Sequence, residues 1–167
     1  MTWLNDGLLQ RFGLEQAAAA KTGVVRTAGE NQQLVVHIKG TDVPTTDAPI
    51  HVDAQIPQGS IIITAELFIT TAFAGTNATL DVGYMSDDGD GTYTTGDDDG
   101  FIAQLATTSM DTLNGADDYQ VGSGAAIAVK IAEVTGGRPL VVSYGYNTAA
   151  FTAGEADLVI TYRRNVA

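Results

Sequence analysis

From residue 33 onward, apolar side chains fall in short alternating or β-branched runs separated by glycine, proline and small polar residues. That pattern belongs to an all-β chain. The runs predict strands at QLVVHIKG (33–40), SIIITAELFITTAF (60–73), ATLDVGYMS (78–86), FIAQLATTSM (101–110), AAIAVKIAEV (125–134), PLVVSYGYNT (139–148) and ADLVITYRR (156–164). In 78–86, Leu80, Val82 and Tyr84 share one face and Asp81 and Gly83 the other, so one face meets a core. The run 101–110 fits neither the strand nor the helix period cleanly and is assigned to a strand. The last three runs, punctuated by GSG, TGG and TAGE, read as an antiparallel meander forming one contiguous part of the sheets. No helices of about 10–15 residues alternate with these strands, so they are expected to close into two packed sheets, an antiparallel β-sandwich of jelly-roll type.

The first thirty residues follow a different pattern. GLEQAAAAK (13–21) is the one good helix former, and polar TGVVRTAGENQQ follows it. The chain therefore divides into an N-terminal arm, residues 1–32, containing a short helix, and a β-sandwich domain, residues 33–167. Trp3, Leu4, Leu8, Leu9, Phe12 and Leu14 give the arm more large apolar side chains than a solvated tail carries. Something must cover them, either the sandwich itself or another protein surface. Trp3, Leu8, Leu9 and Phe12 are the expected contact residues.

The 167 residues suffice for one core, and the charge then narrows the partners. Twenty acidic side chains stand against eight basic ones, a formal charge of -12 that opposes contact with a phosphate backbone. Nucleic acid is excluded as a direct partner, and the same charge suits a protein displayed at high density in water. With no cysteine, disulfides, thiolate metal sites and thiol nucleophiles drop out. No basic segment leads into a long apolar core, and no window of about 18 apolar residues spans a bilayer. A soluble protein made in the cytoplasm is expected, with no membrane partner.

Chemistry concentrates in SDDGDGTYTTGDDDGF (86–101), where Asp87, Asp88, Asp90, Asp97, Asp98 and Asp99 crowd together without a basic residue. The calcium-loop pattern fails. Counting from Asp88, the fifth and sixth positions are Thr92 and Tyr93, where an oxygen ligand and a glycine are needed, and no glutamate stands twelfth. A looser calcium site at Asp87, Asp88, Asp90 and Asp97 is one reading. The preferred one is a long solvated hairpin loop, mobile and facing water, whose glycines make turns and whose aspartates keep it soluble. A glycosidase carboxylate pair needs rigid placement in a cleft, which such a loop does not supply. His37 and His51 have no grouped partners and read as structural. Ser123 in VGSGA has Val121 and Ala125 where the serine elbow G-x-S-x-G needs glycines, and reads as a turn. Tyr144, Tyr146 and Phe151 could stack on sugars, although alternation on a core strand accounts for their spacing. No catalytic set and no cofactor motif emerges, so the chain is read as non-enzymatic.

Taken together, NDGLLQRFGLEQA, IPQGSIIITAELFITTAFAG, ATLDVGYMSDD and GEADLVITYRR resemble a family of small virion proteins of tailed bacteriophages. The resemblance covers the N-terminal motif and most of the β region. It implies a head decoration, or cement, protein: a jelly-roll-like subunit, a homotrimer, seated on the capsid exterior and bridging capsomers of the major capsid protein. The family has no catalytic residues to carry over, and the aspartate loop is its least typical part. Two alternatives stay open, a carbohydrate-binding β-sandwich assisted by calcium, and another virion component of the tail or neck.

Overall fold

The computed structural model describes residues 31–110, 119–131 and 138–163. The arm helix expected at 13–21 and the contact residues Trp3, Leu8, Leu9 and Phe12 lie outside them. The described residues are nearly all strand: β1 Asn31–Lys39, β2 Ala48–Pro49, β3 Gln55–Ile56, β4 Ile61–Ala74, β5 Thr79–Asp87, β6 Tyr93–Ala106, β7 Tyr119–Val121, β8 Leu140–Asn147 and β9 Ala153–Arg163. Single 3-10 turns at Gly40–Asp42 and Thr107–Ser109 are the only helical pieces among them. No helix among the described residues is long and apolar enough to cross a membrane.

One sheet has the order β1-β9-β4-β7 and the other β2-β8-β5-β6, with β3 also on β8; every pairing is antiparallel. β2 and β3 lie on the same edge of β8, opposite Ser143–Tyr144 and Leu140–Val141, and form two halves of one interrupted strand. Counted that way the chain is a long ribbon folded back on itself. Its ends pair as β1 with β9, then β2/β3 with β8, β4 with β7, and β5 with β6 at the closed end. Rolled into two sheets, this is a jelly roll, the expected fold.

Strand period two explains the core. On β9, Ala156, Leu158, Ile160 and Tyr162 point inward and are buried, and on β4 Ile62, Ala65, Leu67 and Ile69 do the same. The alternation on β4 slips by one between Ile62 and Ala65, where the register with β9 also shifts. From the facing sheet come Leu80, Val82, Phe101, Ile102, Leu140 and Val142. The second sheet is buried on its other face as well, since Asp81, Met85, Val141 and Ser143 are all covered.

Three sequence expectations need correction. Residues 125–134 do not form a strand over their described part: Ala125–Ala128 turn, and only Lys130 bridges Ile61. The Gly124 and Ala126 amides donate instead to the Phe101 and Gly100 carbonyls of β6, while Ala128 donates to Ile62 of β4 and Ile131 to Ser60 just before it. The segment stitches the open edges of the two sheets together, a demand that outweighs its alternating pattern. The meander also fails, because β8 and β9 lie in opposite sheets and each pairs with a strand from the first half of the chain. Finally, 86–101 is not a long loop. Asp87–Met85 pair with Tyr93–Thr95, leaving only Asp88–Thr92 as the turn.

Candidate functional site

The hairpin end is built from local hydrogen bonds. The Asp88 amide donates to the Thr92 carbonyl at 3.1 Å, the Gly89 amide to Asp87 Oδ1 at 2.7 Å, and the Thr94 hydroxyl to Asp88 Oδ2 at 2.8 Å. Asp90 accepts from both the amide and the hydroxyl of Thr92, which lowers its pKa. Arg138 stands 3.9 Å from Asp87. Three of the four aspartates expected to share a calcium ion, Asp87, Asp88 and Asp90, are thus engaged in the turn. Asp97 is grouped with other carboxylates.

Past the turn, β6 leaves its partner. Tyr84 pairs with Asp97 and Val82 with Ile102, so on β5 only Gly83 faces the four residues Asp98–Phe101 of β6. This bulge folds over the sheet. A β-carbon at Gly83 would stand 1.9 Å from the Asp97 carbonyl oxygen and 2.5 Å from the Asp98 carbonyl carbon, so only glycine admits the bulge there. The hydrogen bonds from Gly124 and Ala126 hold its far side.

The bulge delivers three carboxylates to one place. One oxygen from each of Asp97, Asp98 and Asp99 lies within 4.8 Å of the other two. Asp47, from the connection leading into β2, stands near them: after burial, Asp98 is among the neighbours that raise its pKa, and its Oδ1 would stand 2.1 Å from a β-carbon at Gly145. Asp81 flanks the group on β5, where it accepts the Gln104 amide at 2.6 Å and the Asn147 side-chain amide. Burial first, then the neighbouring carboxylates, raises the pKa of Asp47; burial likewise leads in raising Asp81 and Asp97. Like charges are therefore being held together by the fold.

Ser143 lies in the floor of this nest. It pairs with Gly83 on β5 and stands two residues from Gly145 on the same face of β8. The bulge roofs one of these glycines and Asp47 the other. Ser143 is fully buried, and its hydroxyl oxygen has no hydrogen-bond partner.

The remaining candidates are structural in their placement. His37 Nδ1 lies 3.0 Å from Asp157 Oδ1 across the β1–β9 ladder, both exposed. His51 sits in a turn, accepting the Asp53 amide. Tyr144 donates to the Asp42 carbonyl, Tyr146 packs against the core, and Phe151 is buried edge-on against Phe73, so these aromatics present no sugar-stacking platform. A shallow hollow at Gly75–Thr79 and Ala106–Thr107 is lined without any titratable side chain. Sequence reasoning missed Asp47, Asp81 and Ser143, which stand far apart in the chain. The signal available was the glycine pair Gly83 and Gly145, each at an outward position of a predicted strand.

No protein-family profile matches the chain, and no curated protein matches it either. Among solved structures it is similar to a chain from the capsid of Ralstonia phage GP4, with a TM-score of 0.51 and 17% identity, over 86% of this chain and 89% of that one. Fainter likenesses join it to the acidic stable capsid of Helicobacter pylori bacteriophage KHP30 (TM-score 0.44, 12% identity, 85% and 92% covered) and to the cyanophage Pam1 capsid asymmetric unit (0.44, 19%, 84% and 94%). At such identities the likeness is one of fold.

Proposed function

We propose that the chain is a non-enzymatic virion structural subunit, a decoration or cement protein seated on the exterior of a phage head. The observation that carries this reading is the extent of the shared fold with a chain of a phage capsid, which runs over 86% of the residues here and leaves little room for a second module. The physical character of the chain supports it. A jelly roll whose pairings run from Asn31 to Arg163 is a rigid block, and a charge of -12 keeps many such blocks from coalescing when displayed side by side. In this reading the partners are the major capsid protein and two further copies of the chain, and the arm residues Trp3, Leu8, Leu9 and Phe12 make the contact. A part of the capsid shell itself is the nearest rival. Adding the purified protein to assembled heads that lack it decides between them: a decoration protein binds saturably, at a fixed ratio to capsid subunits, and raises the temperature at which heads open. Heads that fail to assemble at all without the protein would point to the shell instead.

A further inference from the structure

Four carboxylates and a buried hydroxyl meet on the outer face of the second sheet, and their arrangement asks for a counter-charge. Asp97, Asp98 and Asp99 are mutually close, Asp47 stands nearby over Gly145, and Ser143 lies in the floor with its oxygen unused. Aspartates on a solvated turn would spread apart. Asp97, Asp98 and Asp99 cannot, because the bulge that carries them is pinned over Gly83 and clamped by the Gly124 and Ala126 amides, and Asp47 lies beside them over Gly145.

An orphaned, fully buried hydroxyl is an independent sign of a missing ligand, since buried polar atoms otherwise find partners. Carboxylate oxygens held within 4.8 Å of one another repel unless a positive charge stands between them, and a cation supplies that charge. Asp81 is not needed for this, both its oxygens being taken by Gln104 and Asn147.

We propose that this nest binds a hard divalent cation, calcium by preference, with carboxylate oxygens from Asp47, Asp97, Asp98 and Asp99 and the Ser143 hydroxyl as a neutral oxygen beneath them. Calcium takes six to eight oxygens at about 2.3–2.6 Å in a flexible arrangement, and the Asp97, Asp98 and Asp99 oxygens, within 4.8 Å of one another, can share one such ion. Magnesium holds ligands at about 2.0–2.1 Å in a strict octahedron and keeps several waters, which suits a crowded carboxylate nest poorly. The ion would tie the connection before β2 to the bulge of β6, two segments joined by no strand pairing to each other. This assignment rests on the site alone and is independent of the proposed role in a virion.

The test is titration of calcium chloride into the full-length protein after removal of divalent ions by a chelator, followed by calorimetry and by melting temperature. One saturable site is expected, with a dissociation constant between about 10⁻⁶ and 10⁻³ M and a melting temperature that rises with calcium above it. The Asp98→Asn/Asp99→Asn variant should bind at least tenfold more weakly and Ser143→Ala measurably more weakly, while Asp87→Asn/Asp88→Asn/Asp90→Asn at the hairpin tip binds as the parent does. Removing repelling charges leaves the first variant folded in chelator; should it fail to fold, Ser143→Ala carries the comparison. The proposal is overturned by the absence of saturable binding at millimolar calcium, by an equal response to magnesium or to sodium at matched ionic strength, or by loss of binding in the tip variant.

Discussion

Asp81 sits at an outward position of β5, where strand alternation leads one to expect a wet side chain, and yet it is buried. Its carboxylate ties down the Gln104 amide, which the bulge at that point has turned away from the ladder, and the Asn147 side chain. Removing it strands two donors. Asp81→Ala is therefore expected to lower stability by about 1–3 kcal/mol, read as a shift in the denaturant midpoint at unchanged slope; a shift within error would show that water replaces the carboxylate freely. The neighbouring acids make a different prediction, about pH. Asp47, Asp81 and Asp97 all have folded-state pKa values raised above the ordinary 3.8, burial being the first cause in each. A carboxyl with a raised pKa binds more protons folded than unfolded, so its contribution to stability grows as pH falls from neutrality toward 3.8. In chelator, the melting temperature should accordingly rise as the pH falls from about 7 toward about 4, and Asp47→Asn/Asp98→Asn should flatten that rise. None of this was legible residue by residue. An aspartate in a strand reads as solvent-facing, and a serine between valine and tyrosine reads as filler; only the pairing of Ser143 with Gly83 gives either a role.

At the level of single elements, long apolar runs announced themselves: the expected strands at 33–40, 60–73, 78–86, 139–148 and 156–164 agree closely with β1, β4, β5, β8 and β9. These strands bury enough large side chains on one face for period two to dominate. The segments that misled are those whose backbone serves another element. Residues 125–131 alternate like a strand but split their amides, Ala126 donating to the Gly100 carbonyl in the β6 bulge and Ala128 and Ile131 to the Ile62 and Ser60 carbonyls, and the aspartate stretch looks like a loop because its charged residues ride on a strand that steps out of register. Glycine is what permits the step. Gly83→Ala would put a methyl group into main-chain atoms of Asp97 and Asp98, which cannot swing aside, whereas Gly145→Ala meets the carboxylate tip of Asp47, which can. Gly83→Ala should hence be the more damaging by at least about 1–2 kcal/mol in equilibrium unfolding. Equal effects from the two alanines would mean that the bulge is not pinned at Gly83.

Across the whole molecule, the jelly roll was legible as a class and its wiring was not, because every pairing except the β5–β6 hairpin joins an earlier strand to a distant later one and local pattern carries no record of that. The distribution of charge is more informative at this scale. In residues 1–30 the acidic Asp6, Glu15 and Glu30 are matched by Arg11, Lys21 and Arg26, so the entire charge of -12 resides in residues 31–167. An acidic body repels other acidic bodies, while a neutral arm rich in large apolar side chains can approach them. Each such side chain, once buried, contributes roughly 1.5–3 kcal/mol, so Trp3, Leu8, Leu9 and Phe12 together can outweigh the ordering of a short arm. Among the described residues the core cluster runs from Val36 to Tyr162, so the strands supply a core of their own. Deleting residues 1–20 should thus leave the β circular dichroism and soluble expression nearly unchanged and abolish stable attachment to heads or self-association. Salt sharpens the test. Attachment through an apolar, uncharged arm should hold or strengthen as sodium chloride rises from about 0.1 to 0.5 M, because screening removes the repulsion between bodies and leaves the apolar contact intact. Were attachment instead to weaken steeply over that range, or to survive the deletion at full affinity, the contact would belong to the charged body, and the proline-bearing stretch 40–59, which carries Asp47, would be the place to look.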